Sequence, residues 1–142
     1  GTWGQRWIAA EPSLENADPG LLMWDMRRRL RPEPLPPRRV VIQFVFEDQP
    51  AARRDWWLLV APGEPVDLCS VDPGFDVDLY VRGRLQVMTA VWMGLRSVEE
   101  VRGSDELLAV GDRAVADAMG AWLGLSPFAV ERKRAAAGGL RA

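Results

Sequence analysis

The chain predicts an α+β domain: a mostly antiparallel five-stranded sheet with helices over one face. Three observations carry this expectation. The hydrophobic period changes from helical to twofold after the proline cluster Pro32, Pro34, Pro36 and Pro37. Several apolar runs then follow one another across turn residues, and helical spacing returns from Leu85 onward. Runs of strands followed by helices belong to α+β architectures rather than to alternating α/β ones.

The opening, Trp3 to Ala10, is short and aromatic, and Glu11-Pro12-Ser13 interrupts it. Asp18 before Pro19 reads as a helix N-cap with proline in the first turn, where its missing N–H costs nothing. Leu22, Met26 and Leu30 recur at helical spacing with Met23 beside them, until the prolines end the helix in an extended connector. Val40 to Glu47 alternates as a strand, and Asp55 to Ala61 (DWWLLVA) reads as a second. Val66 to Val71 comes after the turn Pro62-Gly63-Glu64-Pro65. After Asp72-Pro73-Gly74, a fourth strand sets Val77, Leu79 and Val81 against Asp76, Asp78 and Tyr80. Short turns between successive strands predict a largely antiparallel meander.

Leu85, Met88, Val91 and Trp92 then form a helical stripe ending near Gly94, and Ser97 with Glu100 makes a capping box for a short second helix. Glu106 to Val110 reads as a fifth strand with Gly111 as its turn. Asp112 caps a last helix carrying Val115, Met119, Trp122 and Leu123. The expected organisation is a helical segment and proline-rich connector over residues 1–37, the main domain over 38–131, and a disordered tail over 132–142, where Ala, Gly and Arg dominate.

Composition narrows the function. The chain contains no histidine, so the Ser-His and Cys-His dyads and most zinc sites are unavailable. Lys133 is the only lysine and lies in the tail. No catalytic residue, metal or cofactor is therefore expected. A net charge of -2 offers nucleic acid or anionic membrane no general attraction. No run spans a bilayer, no signal-peptide pattern is present, and the single Cys69 forbids an internal disulfide; a cytoplasmic setting is the resulting expectation.

The stretch DVDLYVRGRLQVMTAVWMGLRSVEEVRGSDELLAVGDRAVADAMGAWLG, Asp76 to Gly124, resembles the sterol-carrier-protein fold. Over nearly the whole chain, WGQRW, LLMWDMRRRL, LPPRRVVIQFVF, VDLCSVDPGFDVDLYV and AWLGLSPFA resemble the C-terminal region of certain actinobacterial HxlR-type transcriptional regulators. In those proteins a winged helix-turn-helix precedes a sterol-carrier-like domain. No such module precedes Gly1, so the chain is expected to be a piece of a longer regulator or a stand-alone relative. The resemblance implies a binding domain without naming its ligand: a small apolar molecule, with DNA reached only indirectly through the absent module. The alternative is a stand-alone sterol or lipid carrier.

That resemblance favours an apolar pocket between sheet and helices, with Phe44, Phe46, Trp57, Leu79, Val81, Met88, Trp92, Met119 and Trp122 as its candidate lining. The same side chains equally suit a packed core, and spacing alone does not separate the two. The arginines Arg27, Arg28, Arg29, Arg31, Arg38 and Arg39 read as a solvated or docking face rather than a phosphate site, since no stacking aromatics accompany them. Asp72, Asp76 and Asp78 lack the glycine and terminal glutamate of a calcium loop and read as wet surface. Cys69 reads as an inert thiol. Val41, Val45, Trp56, Leu58, Val60 and Tyr80 give the second sheet face more apolar character than a wet face needs, which leaves room for a homodimer or a docked domain.

Overall fold

The computed structural model describes residues 17–124. The expected tail over 132–142 and the aromatic opening at Trp3 lie outside them. Helix α1 (Pro19–Arg29) starts as its sequence directs: the Asp18 carboxylate accepts the Leu21 N–H at 3.0 Å, and Pro19 fills the first turn. Leu22, Met23, Met26 and Leu30 are buried, and the exposed side carries Arg28 and Arg29.

The sheet consists of β1 (Val40–Phe46), β2 (Asp55–Val60), β3 (Asp67–Cys69), β4 (Leu79–Gly83) and β5 (Leu107–Gly111), in the spatial order β3-β2-β1-β4-β5. A four-residue helix α2 (Ala51–Arg54), not foreseen from the sequence, lies between β1 and β2. Three of the four pairings are antiparallel, and β1 with β4 is parallel. The sheet is therefore mostly antiparallel, but it is not a meander. Asp72-Pro73-Gly74 does turn the chain: the Asp72 carboxylate accepts the Gly74 N–H at 2.8 Å, and Gly74 takes φ 84°. The turn closes no hairpin, because residues 70–78 carry the chain past β2 and β1 to the far side of β1. The reason lies in β1, which is apolar on both faces and needs a strand along each edge; β3 is too short and too polar to be buried there.

Register divides the side chains between two faces. Ile42 sits opposite Leu58 and Leu79, Phe44 opposite Trp56 and Val81, and Gly83 opposite Leu107. These residues form one face and join the helices in a single core. Gln43 sits opposite Trp57 and Tyr80, and Trp57 opposite Cys69, so Trp57 belongs to the other face. The expected placement of Trp57 with Phe44 is thus corrected by one residue: Trp57 goes to the outer face, and Trp56, Leu58 and Val60 take the core side instead. The β2 run DWWLLV carries no polar residue after Asp55, so its alternation has no visible phase.

The helical layer is made of α3 (Leu85–Trp92), α4 (Val98–Gly103), α5 (Arg113–Asp117) and α6 (Met119–Trp122) together with α1. Gly94 takes φ 75° after α3; the Ser97 hydroxyl accepts the Glu100 N–H at 3.0 Å, and the Asp112 carboxylate accepts the Val115 N–H at 3.1 Å. The last helix, expected as one, divides at Ala118, just before Gly120 lowers helical preference. Buried residues of α1, α3, α4, α5 and α6 all join the same core, which places the helices over one sheet face.

Candidate functional site

Eight of the nine candidate pocket residues come together. Phe44, Leu79, Met88, Trp92, Met119 and Trp122 are fully buried, Phe46 and Val81 nearly so, and all eight belong to one core. Trp57 is buried on the opposite sheet face and joins none of them. The polar atoms within this layer are already paired. The Trp92 Nε1–H donates to Asp25 Oδ2 at 2.8 Å, the Trp122 Nε1–H to the Val115 carbonyl at 2.8 Å, and the Thr89 hydroxyl to the Leu85 carbonyl at 2.8 Å. Among the described residues no buried side-chain N or O lacks a partner. A site that recognises a polar group of a ligand keeps a few unpaired donors or acceptors for it; this layer keeps none.

Open space lies instead at the rim of the helical layer. A groove of about 490 Å³ runs between the α3–α4 turn and α6. Val91, Val98 and Leu123 form its apolar floor and are themselves core residues; Leu95, 38% exposed, stands at its lip. Gly120 faces Glu99 across it: a Cβ at Gly120 would stand 3.5 Å from Glu99 Oε1. Two smaller hollows, of about 260 and 380 Å³, lie against the proline connector and against α3. None of these three spaces is lined by any of the nine candidates.

Arg96 braces the groove. Its Nε–H donates to Glu100 Oε2 at 2.6 Å and its Nη1–H to Glu106 Oε1 at 2.9 Å, while the Ser104 hydroxyl donates to Glu106 Oε2 at 2.6 Å. The Arg96 and Ser104 hydrogen bonds hold the Glu106 carboxyl down at about 2, and the carboxylates of Glu106 and Glu100 push the guanidinium up. Arg96 is thereby committed to its own chain. Sequence spacing carries no sign of the groove, because its floor joins Val91 to Leu123 through the tertiary fold; the glycines Gly94 and Gly120 at its edge are the available hint.

The remaining candidates resolve into structure. Asp78 is no wet-surface residue: its carboxylate accepts the Val41 N–H at 2.8 Å and the Arg38 Nη1–H at 3.1 Å. Arg39 stacks on Phe75 with its guanidinium carbon 3.9 Å from the ring centre, and the Arg27 Nε–H donates to the Val66 carbonyl at 2.8 Å. Burial, then the charge of Asp67, pushes the Cys69 thiol up, so it stays protonated and weakly nucleophilic. Among the described residues no group of three or more Cys, Asp or Glu could hold a metal ion, and no helix is long and apolar enough to cross a membrane.

No protein-family model matches the chain, and no curated protein matches it in sequence. Solved structures do resemble it. The inverting sec-alkylsulfatase Pisa1 from Pseudomonas sp. matches 79% of this chain with a TM-score of 0.58 at 16% identity. This chain covers only 17% of the alkylsulfatase, so the likeness is to one part of a much longer protein. It shows a shared fold. The UbiJ-SCP2 ubiquinone synthesis protein matches 75% of this chain, and the chain covers 79% of it, at 20% identity and a TM-score of 0.49. Sterol carrier protein 2 from Yarrowia lipolytica, in its apo form, matches 60% of this chain, which covers 65% of it, at 14% identity and a TM-score of 0.43.

Proposed function

We propose that this domain is a non-catalytic module that binds a small apolar molecule at the α3–α4/α6 groove and serves as the effector or assembly domain of a transcriptional regulator. One observation carries the binding reading. The groove is open to solvent, yet its floor is made of the core residues Val91, Val98 and Leu123. Its volume falls within the roughly 300–1,000 Å³ typical of small-molecule sites. Because floor and core are the same residues, a ligand there reaches the layer of Met88, Trp92, Met119 and Trp122 by displacing side chains rather than by entering a ready cavity.

The non-catalytic part rests on chemistry. The chain has no histidine, and the Cys69 thiol is pushed up and stays protonated. The Ser104 hydroxyl does meet the Glu106 carboxylate, but Arg96 holds that carboxyl down at about 2, which makes it a weak base. The regulator part rests on the sequence resemblance, and DNA contact would belong to a helix-turn-helix module. A ligand favouring one packing of α3 against α6 would then bias the attached module by ordinary linkage.

Isothermal titration with decanol, a neutral apolar probe, tests the binding. Saturable binding to the wild-type chain is expected, falling at least tenfold in Ala121→Trp, which fills the groove, and in Leu95→Asp, which polarises its lip. No saturable binding, or binding untouched by both variants in a folded chain, would overturn the reading. Rapid transfer of bound probe to vesicles would favour the carrier alternative over the regulator.

A further inference from the structure

The two edges of the sheet are built differently. β3 is three residues long, comes soon after Pro65 and carries Asp67, which are the usual protections of an edge strand. β5, at the opposite edge, is five residues long with the sequence LLAVG, free of charge and of proline. Two of its side chains stand in solvent on the face away from the helices: Leu108 is 42% exposed and Val110 57% exposed. Tyr80 sits opposite Val110 in the β4 register and is 40% exposed, which extends the apolar strip inward. An uncharged edge of this kind is a template for another strand.

We propose that β5 pairs antiparallel with β5 of a second copy of this chain, about a twofold axis at Ala109, giving one continuous sheet across the dimer. The register is set by symmetry. A twofold axis perpendicular to the sheet keeps each face on its own side, so residues pair only with residues of like parity. Centring on Ala109 is the choice that pairs the whole strand. It sets Leu108 beside Val110 of the partner subunit and Leu107 beside Gly111 of the partner subunit.

Charge supports this register. It also brings the start of β5, where Asp105 lies in the preceding turn, near the end of β5 of the partner subunit, where α5 begins at Arg113 of the partner subunit. Within one copy neither Asp105 nor Arg113 has an ion-pair partner among the described residues. The like-charged pair it creates, Glu106 with Asp112 of the partner subunit, is already neutralised within each copy. Arg96 holds Glu106, and Arg38 holds Asp112 at 3.2 Å. The groove lies on the helical side and plays no part in this pairing.

Native mass spectrometry and light scattering across micromolar concentrations test the proposal. A dimer is expected, weakened at least tenfold by Val110→Lys with an unchanged circular dichroism spectrum. Asp105→Arg and Arg113→Asp should each weaken it, and the two together should restore it by exchanging the charges. A chain that stays monomeric, or a dimer indifferent to Val110→Lys, would overturn β5 pairing. A dimer that Val110→Lys breaks but the charge exchange does not restore would overturn the Ala109 register.

Discussion

Asp78 and Val41 hold each other twice: the Val41 N–H donates to Asp78 Oδ2 at 2.8 Å, and the Asp78 N–H donates to the Val41 carbonyl at 2.8 Å. The same residue's carbonyl accepts the Asp112 N–H at 2.8 Å, at the end of β5. One aspartate therefore ties the start of β1, the start of β4 and the end of β5, where the parallel pairing begins. Asp78→Ala leaves a part-buried Val41 N–H without its acceptor and leaves Arg38 held by Asp112 and the Arg39 carbonyl. The expected loss is about 1–3 kcal/mol of unfolding free energy, measured by urea titration, with Asp78→Asn losing less because it keeps an acceptor.

Gly111 meets Asp78 at close quarters. Its φ is 134°, and a Cβ there would collide with the Asp78 carbonyl oxygen. Gly111→Ala therefore strains the backbone and separates β4 from β5. We expect a loss of about 1–3 kcal/mol and a lower melting temperature by thermal unfolding. Gly63→Ala, at φ 72° with nothing within 4 Å, should cost less because only the backbone strain applies.

How much of this is legible in the sequence depends on whether the signal is local. The caps at Asp18, Ser97 and Asp112 are set within a few residues and read correctly. The phase of β4 reads correctly because Tyr80 and Arg82 mark its wet side. β2 offers no such marker, so the alternation alone puts Trp57 in the core and Trp56 outside it, the reverse of the fold. The pairing of β4 with β1 depends on which strand can be buried on both edges, and a turn at Asp72-Pro73-Gly74 carries no information about that. The groove is a still more distant relationship, between Val91 and Leu123.

Acid should expose the Arg96–Glu106 pair. The Glu106 carboxyl is held at about 2 against an ordinary 4.5, so its contribution to folding is complete above about pH 4.5 and is lost as pH falls toward 2. Glu106→Gln should flatten the acid limb of the stability profile between those values. The difference should shrink in high salt, since the pair is exposed. Urea midpoints for the two chains at a series of pH values check this; parallel acid limbs would show that the pair does not stabilise the fold.

Phe44, fully buried between Trp56 and Val81 in register, tests which sheet face is the core. Phe44→Ala should cost about 3–5 kcal/mol. Tyr80→Ala, on the outer face, should cost well under half of that by the same urea titration.

Binding of an apolar ligand at the groove between the α3–α4 turn and α6 is the central expectation for this domain. Amide and methyl chemical shifts recorded while decanol is titrated into the labelled chain test it most directly. Saturable shifts are expected that centre on Val91, Leu95, Val98 and Leu123 and leave Trp57 and Cys69 on the other sheet face unmoved. Shifts centred on that outer face, or none that saturate, would contradict it.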